Sequence, residues 1–301
     1  MKRTLLIWAS MACMTVHSVM AQDAAVNKII EIGQTDNQVM DHLDVLTNRI
    51  GGRVIGSNAY DNAVEWVASK FTEWGLEVEL QEAGTLPVGF NRGPWFGKLL
   101  GENGTELHFV TPSYTAGTKG VQRGHVLQEP LTQSEFDRMK GQLKGAWVLI
   151  NGKNVGWPVD RSAKGDSIRA TIIAENNETA QKNYQIMEDN WRNNTDNPLL
   201  PLKEDVPALF YKQMCEAGVL GFIQSATVPL RALYDRTIMN DPTFTFDNLP
   251  DVCDIKLDEH QYATIKQMVK ERRTFFLEFD LRNHFRMGPV KYYNVIGDQR
   301  L

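Results

Sequence analysis

The chain has 301 residues, enough for one large domain or two ordinary ones. With 42% hydrophobic and 23% charged residues it has the composition of a globular protein, not a disordered one. The formal net charge of -5 is mild and no block of like charges occurs, which excludes a charge-driven nucleic-acid or membrane-surface partner.

Residues 1–21 read as a cleavable export signal. Lys2 and Arg3 give a positive start, Leu5 to Val16 is mostly apolar, and Val19-Met20-Ala21 fits a small-residue cleavage site, leaving Gln22 first in the mature chain. The apolar run falls short of the roughly 20 residues a spanning helix needs, so no membrane span is expected. Ser10-Met11-Ala12 before Cys13 is a poor lipid-attachment motif. Beyond the leader only Cys215 and Cys253 remain. Export permits a disulfide between them, and two separately buried thiols fit equally well.

Asp36 to Ile50 reads as the first core helix. Thr35-Asp36-Asn37-Gln38 has the spacing of a capping box, and Val39, Leu43, Leu46 and Ile50 form one stripe. His42-Leu43-Asp44 has metal-ligand residue types. On a helix, however, side chains two apart diverge, so His42 and Asp44 are expected in solvent on either side of a buried Leu43. A glycine-broken turn, Gly51-Gly52-Arg53, leads to a second helix. Ser57 or Asn58 can cap it. Tyr60, Val64, Val67, Phe71 and Trp74 recur at helical spacing, and Gly75 suits a left-handed stop. Leu76 to Leu80 alternates as a strand. Helix, turn, helix and strand are expected to pack as one unit.

The run Thr47-Asn48-Arg49-Ile50-Gly51-Gly52-Arg53-Val54-Ile55-Gly56-Ser57, through Glu65-Trp66 and Glu73-Trp74-Gly75-Leu76, resembles the amino-terminal segment of secreted zinc aminopeptidases of metallopeptidase family 28. The closer resemblance is to the branch with an inserted protease-associated domain. Gly52 stands where that family usually has proline. The resemblance implies a fold of class α/β: an incomplete amino-terminal part of a mixed-sheet zinc-peptidase domain, plus an inserted α+β domain.

From about Gly84 prolines and glycines become frequent, as in Leu86-Pro87-Val88-Gly89 and Asn91-Arg92-Gly93-Pro94. Short strands are expected over Leu107–Val110, Gly124–Leu127 and Ala146–Asn151. Leu143-Lys144-Gly145 before the last of these resembles an element of the protease-associated domain. Asn154 to Pro207 reads as a decorated loop holding a helix over Glu178–Trp191. Asn103, Asn177 and Asn193 begin Asn-x-Thr triplets. A helix is expected over Leu209–Ala217, stopped by Gly218, then a buried strand over Val219–Ile223, a handover similar to that of the protease-associated domain. A strand over Val252–Leu257 follows, then a helix capped by Asp258 and running to about Arg273, then an alternating strand over Thr274–Leu281. The resemblance thus divides the chain into a signal (1–21), a first peptidase segment (22–84), an inserted domain (85–286) and a returning strand (287–301).

Tyr292-Tyr293-Asn294-Val295-Ile296-Gly297-Asp298 is similar to the family's first strand after the insertion. In the family the zinc ligands and the catalytic glutamate follow that strand, and Leu301 ends this chain before them. The histidines of the mature chain, His42, His108, His125, His260 and His284, are scattered. Glu259-His260 reads as a solvated helix start, and Asp160-Arg161 and Asp166 as loop residues. No His-Glu-x-x-His, nucleophile elbow or phosphate-binding glycine loop occurs. No catalytic, cofactor or metal residue is therefore assigned. The resemblance implies a zinc pair and a peptide substrate for a full-length enzyme, with no zinc expected on this chain. A non-catalytic exported binding protein and a different exported hydrolase are the alternatives. Oligomeric state is not legible.

Overall fold

The computed structural model describes residues 24–101, 104–159, 163–233 and 243–299. The expected signal at 1–21, the cleavage site before Gln22, Asn103, Asp160-Arg161 and Leu301 lie outside the described residues. The chain divides into two compact units, Met1–Arg53 and Val54–Leu301.

In the first unit residues 24–35 form helix α1 and Val39–Asp44 form α2, which continues as a π-helical turn over Val45–Ile50. The expected capping box does not form. Asn37 Oδ1 accepts the Val39 amide at 3.0 Å, while Thr35 Oγ1 turns back to the Glu31 carbonyl at 2.7 Å because it closes the preceding helix. Leu43 is 46% exposed, not buried as expected. Past the turn, the Arg53 guanidinium donates to the Leu46 carbonyl and, at 2.9 Å, to the Gly51 carbonyl. A cation is favourable there because the last helical carbonyls are otherwise unmatched.

The second unit opens with α3, Asn58–Glu73. Ser57 is its cap, with Oγ accepting the Tyr60 amide at 3.1 Å. Strand β1, Glu77–Leu100, pairs antiparallel along its length with β9, Phe276–Asp298. The sequence suggested a short strand over Leu76 to Leu80, with prolines and glycines frequent from about Gly84. Instead β1 runs straight through. Its ladder slips between Glu82 and Gly84, Leu86 and Val88, and Arg92 and Trp95, so Pro87 and Pro94 both fall at bulges. A proline lacks the donor a ladder needs, and a bulge is where a strand tolerates that loss. By the same pairing, the alternating strand expected at Thr274–Leu281 and the strand that the resemblance placed at Tyr292–Asp298 are one strand.

β2 (Thr105–Glu106) and β4 (Gln122–Gly124) flank this pair, giving the order β2-β1-β9-β4. A second sheet has the order β3-β8-β7-β6-β5, from β3 (Phe109–Val110), β5 (Val126–Gln128), β6 (Trp147–Asn154), β7 (Gly221–Ala226) and β8 (Cys253–Asp258). Strands β5 to β8 are parallel and β3 is antiparallel. The protein is therefore of mixed α/β class, as the sequence implied.

Parallel strands are covered on both faces, and β6 shows it: Trp147, Val148, Leu149 and Ile150 are all buried. Trp147 and Leu149 face one core with Leu277 and Phe279 of β9 and with Tyr262 and Ile265 of α7, Glu259–Lys270. Val148 and Ile150 face another with Phe136 of α4 (Gln133–Met139), Ile172 of α5 (Ala163–Asn193) and Met214 of α6 (Tyr211–Glu216). The helix expected at Glu178–Trp191 is thus the outer part of a 31-residue helix. Gly165, Asp166, Ser167 and Thr171 make its first half a poor helix former by propensity. Buried Ile172 and Arg169 override that: the guanidinium pairs with Asp166, donates to the Pro207 carbonyl and lies 5.4 Å from the centre of the Tyr211 ring.

The return chain after α5 is not a free loop. Asn176, Asn183 and Asn190 each present a carboxamide that accepts an amide and donates to a carbonyl of one residue, Lys203, Leu200 and Asn197 respectively, at 2.8–2.9 Å. Seven helical residues rise about 10.5 Å and three extended residues cover about 9.3 Å, so the two periods match.

Segments Glu77–Glu82 of β1 and Tyr293–Asp298 of β9 form a two-stranded ribbon beyond the rest of the sheet. Helix α3 lies on one face: Tyr60 donates its hydroxyl to the Tyr293 carbonyl at 2.8 Å, Arg286 pairs with Asp61 at 2.7 Å, and Gly297 leaves room for the Phe71 ring. Among the described residues neither outer edge of this ribbon carries a further strand.

Candidate functional site

The titratable residues singled out from the sequence do not converge. Asp44 is held by Asn48 at 2.8 Å and Arg49 at 3.0 Å, and those hydrogen bonds lower its carboxyl below the usual range. His125 meets the Gln142 carbonyl at 2.8 Å, and His260 and His284 are exposed on α7 and β9. Glu259 pairs with Lys153, which lowers its carboxyl, and Asp258 caps α7 through the His260 amide at 2.8 Å. Cys215 and Cys253 are not bridged to each other, so the disulfide alternative does not hold, and burial pushes the Cys253 thiol up to about 12. Among the described residues no group of three or more His, Cys, Asp or Glu side chains could hold a metal ion. They do not fit a zinc pair.

What the fold does bring together lies at the carboxyl ends of β5 and β6, where open α/β sheets place their binding clefts. A cleft of about 510 Å³ opens there. Its floor is Glu129, the residue just after β5, only 4% exposed. Glu129 Oε1 accepts the Asn151 amide at 2.5 Å and Oε2 accepts the Leu209 amide at 3.3 Å. Burial pushes this carboxyl up to about 8, against the lowering effect of those amides. Asn151 Oδ1 accepts from Gln128 Nε2 at 2.8 Å and from Lys266 Nζ at 3.2 Å. Tyr262 donates its hydroxyl to the Ile150 carbonyl at 2.6 Å, and burial pushes the phenol's pKa up, making it a weaker acid. Glu135, Arg138 and Glu204 complete the rim.

A carboxyl near neutrality has the right acidity for a general base. Glu129, however, has its oxygens committed to backbone amides, and no Ser, Thr or Cys lines the cleft. The arrangement clasps two strands and the Leu209 turn, and offers paired carboxylates and cations to a ligand with charges of both signs. Sequence reading missed it because Glu129, Asn151 and Lys266 are brought together only by parallel strand pairing and the docking of α7.

A second buried charge sits on the opposite half of the sheet. Lys256 of β8 pairs with Asp254 at 2.6 Å and donates to Gln224 of β7. Asp254 also accepts the Val159 amide at 2.7 Å. Every group in this cluster points inward, which makes it a structural tie.

No protein-family profile and no curated protein matches the chain. Similar solved structures include a peptidase M28 precursor from Shewanella amazonensis SB2B, 15% identical over 91% of this chain and 53% of that one, with a TM-score of 0.46. BSAP, a zinc aminopeptidase from Bacillus subtilis, is 12% identical over 84% of this chain and 44% of that one, with a TM-score of 0.41. An aminopeptidase from Aneurinibacillus sp. strain AM-1 is 12% identical over 84% and 46%, with a TM-score of 0.37. The chain spans about half the length of these structures.

Proposed function

We propose that this chain is the amino-terminal part of an exported zinc-dependent aminopeptidase that hydrolyses peptides, with residues 85–286 as an inserted protease-associated-like domain. The observation that carries the reading is the ribbon. The chain leaves α3 through Glu77, builds the whole central α/β body, and returns at Tyr293–Asp298 to pair with the strand it left by. A domain inserted between neighbouring strands has this course. The ribbon is covered by a helix on one face and open at both edges among the described residues, as the start of a larger sheet would be. The turn and helix from Thr47 to Leu76 carry the sequence resemblance, and Tyr292–Asp298 carries its continuation. Export rests on the reading of residues 1–21, and no helix among the described residues is long and apolar enough to cross a membrane. In this reading the zinc ligands and catalytic glutamate come from polypeptide other than this chain.

The test is zinc content and hydrolysis of an aminoacyl-anilide, measured on the 301-residue chain and on any longer product of its gene. The expected result is neither stoichiometric zinc nor turnover for the short chain, and chelator-sensitive turnover for the longer one. Tight zinc binding by the short chain, or chelator-resistant turnover, overturns the proposal. The second reading, a non-catalytic binding protein, is favoured by the cleft over Glu129 alone. It gains if peptides bind this chain and no longer product exists.

A further inference from the structure

We infer that the outer half of α5 is a self-association surface, and that two copies of this chain pair there through antiparallel α5 helices. Ile173, Asn177, Ala180, Tyr184, Met187 and Trp191 follow one another at alternating spacings of four and three. That is the spacing of a heptad seam, which a facing helix with the same period can match; at its inner end Asn177 Oδ1 accepts the Gln133 amide of α4 at 3.0 Å. Ile173 packs on the helix-side core. Beyond it, Tyr184 is 67% exposed, Met187 49% and Trp191 84%. The chain's own return segment cannot cover them, because the asparagine ladder fixes that segment to the neighbouring face through Asn176, Asn183 and Asn190.

The seam carries its own complement. Ala180 is the one small residue among the outer positions, and it opens onto a groove of about 760 Å³ between α4 and α5. Arg138 of α4 and Gln181 and Tyr184 of α5 wall the groove. In an antiparallel pair centred between residues 185 and 186, Trp191 of one copy falls opposite Ala180 of the other, and Tyr184 opposite Met187. The large indole then fills the space left by the small side chain, with the Arg138 guanidinium at hand for its face. Thioether and phenol ring make a favourable contact in the same layer. Each copy offers one knob and one hole, so the contact is isologous and closes on a two-fold axis. A second copy is thus the occupant that matches in period and in size.

The experiment is sedimentation equilibrium of the full chain, with far-ultraviolet circular dichroism to establish that each variant is folded. The wild type is expected to show a concentration-dependent dimer. Trp191→Ala removes the knob and Ala180→Trp fills the hole, and each is expected to weaken the dimer more than about tenfold, as for a buried aromatic anchor. For the register, Tyr184→Cys and Met187→Cys are made in separate chains. A mixture of the two is expected to cross-link on oxidation, whereas neither cross-links alone at those positions. A wild type that stays monomeric at high concentration overturns the proposal. So does a dimer that survives both Trp191→Ala and Ala180→Trp. Cross-linking of each single variant with itself overturns the antiparallel register.

Discussion

The Lys256 ammonium and the Asp254 carboxylate face each other at 2.6 Å from neighbouring positions on the same side of β8, with the lysine wholly removed from solvent. Burial lowers the lysine's affinity for its proton and the aspartate opposes that effect. The pair is therefore held by mutual neutralisation, while Lys256 also donates to Gln224 and Asp254 Oδ2 accepts the Val159 amide.

Removing one partner strands the other. Lys256→Met is expected to destabilise the protein by about 3–5 kcal/mol, because Asp254 is left buried and unbalanced. Replacing both, as Asp254→Leu with Lys256→Met, is expected to cost much less than the sum of the single changes. Urea unfolding of the four proteins measures the coupling. Additive losses would show that the two charges do not depend on each other.

Glu129 gives stability a pH dependence whose sign is opposite to that of a salt-bridged carboxylate. Its folded value of about 8 lies above the ordinary 4.5, so the folded state holds this proton more tightly than the unfolded one. The contribution is fully present below about 4.5 and is lost as pH rises to about 8. Glu129→Gln is expected to flatten that part of the profile, at a cost of roughly 1–3 kcal/mol for the backbone amide it can no longer accept. Denaturant midpoints between pH 5 and pH 9, compared with wild type, check the slope.

The asparagine ladder predicts a local effect without a global one. Asn183→Leu deletes both hydrogen bonds to Leu200. Amide exchange at Leu200 is expected to accelerate strongly while the global melting temperature moves little, because the ladder lies outside both main cores. Loss of protection throughout β6 would contradict this.

Close approach fixes Gly297. A Cβ there would stand 2.6 Å from the Phe71 ring and 2.9 Å from Leu76. Gly297→Ala is expected to push α3 off the ribbon at a cost of about 1–3 kcal/mol. The same substitution at Gly120 would lack that clash, since nothing lies within 4 Å of its Cβ position, although its φ of +77° keeps a separate backbone strain. Fluorescence of Trp66 and Trp74 on and beside α3 follows the change.

Local patterning made α3 legible, with its Ser57 cap and its Tyr60–Phe71 face, and made legible the parallel strands from Trp147, Gly221 and Cys253. The same local reading ended β1 at Leu80, because only the partner strand shows that Pro87 and Pro94 sit at slips in the ladder. It shortened α5 for the same reason: Gly165 and Thr171 argue against a helix until the burial of Arg169 and Ile172 is known. It placed Leu43 inside a core, whereas Leu43 is exposed. The cleft around Glu129 was invisible because Asn151 and Lys266 reach it from distant parts of the chain. A lone glutamate after a three-residue strand carries no signal of its own burial.

The ribbon also sets an order of events during synthesis. Glu77 pairs with Asp298, roughly 220 residues later, which at about 5–20 residues per second leaves that end of β1 without its partner for on the order of tens of seconds. The parallel sheet between them needs only strands that emerge in sequence, from Val126 to Asp258, and can assemble first. The helix α3 and its strand wait without that partner until then, an open template. The acidic run Glu77, Glu79 and Glu82 keeps that waiting edge from pairing with its own kind.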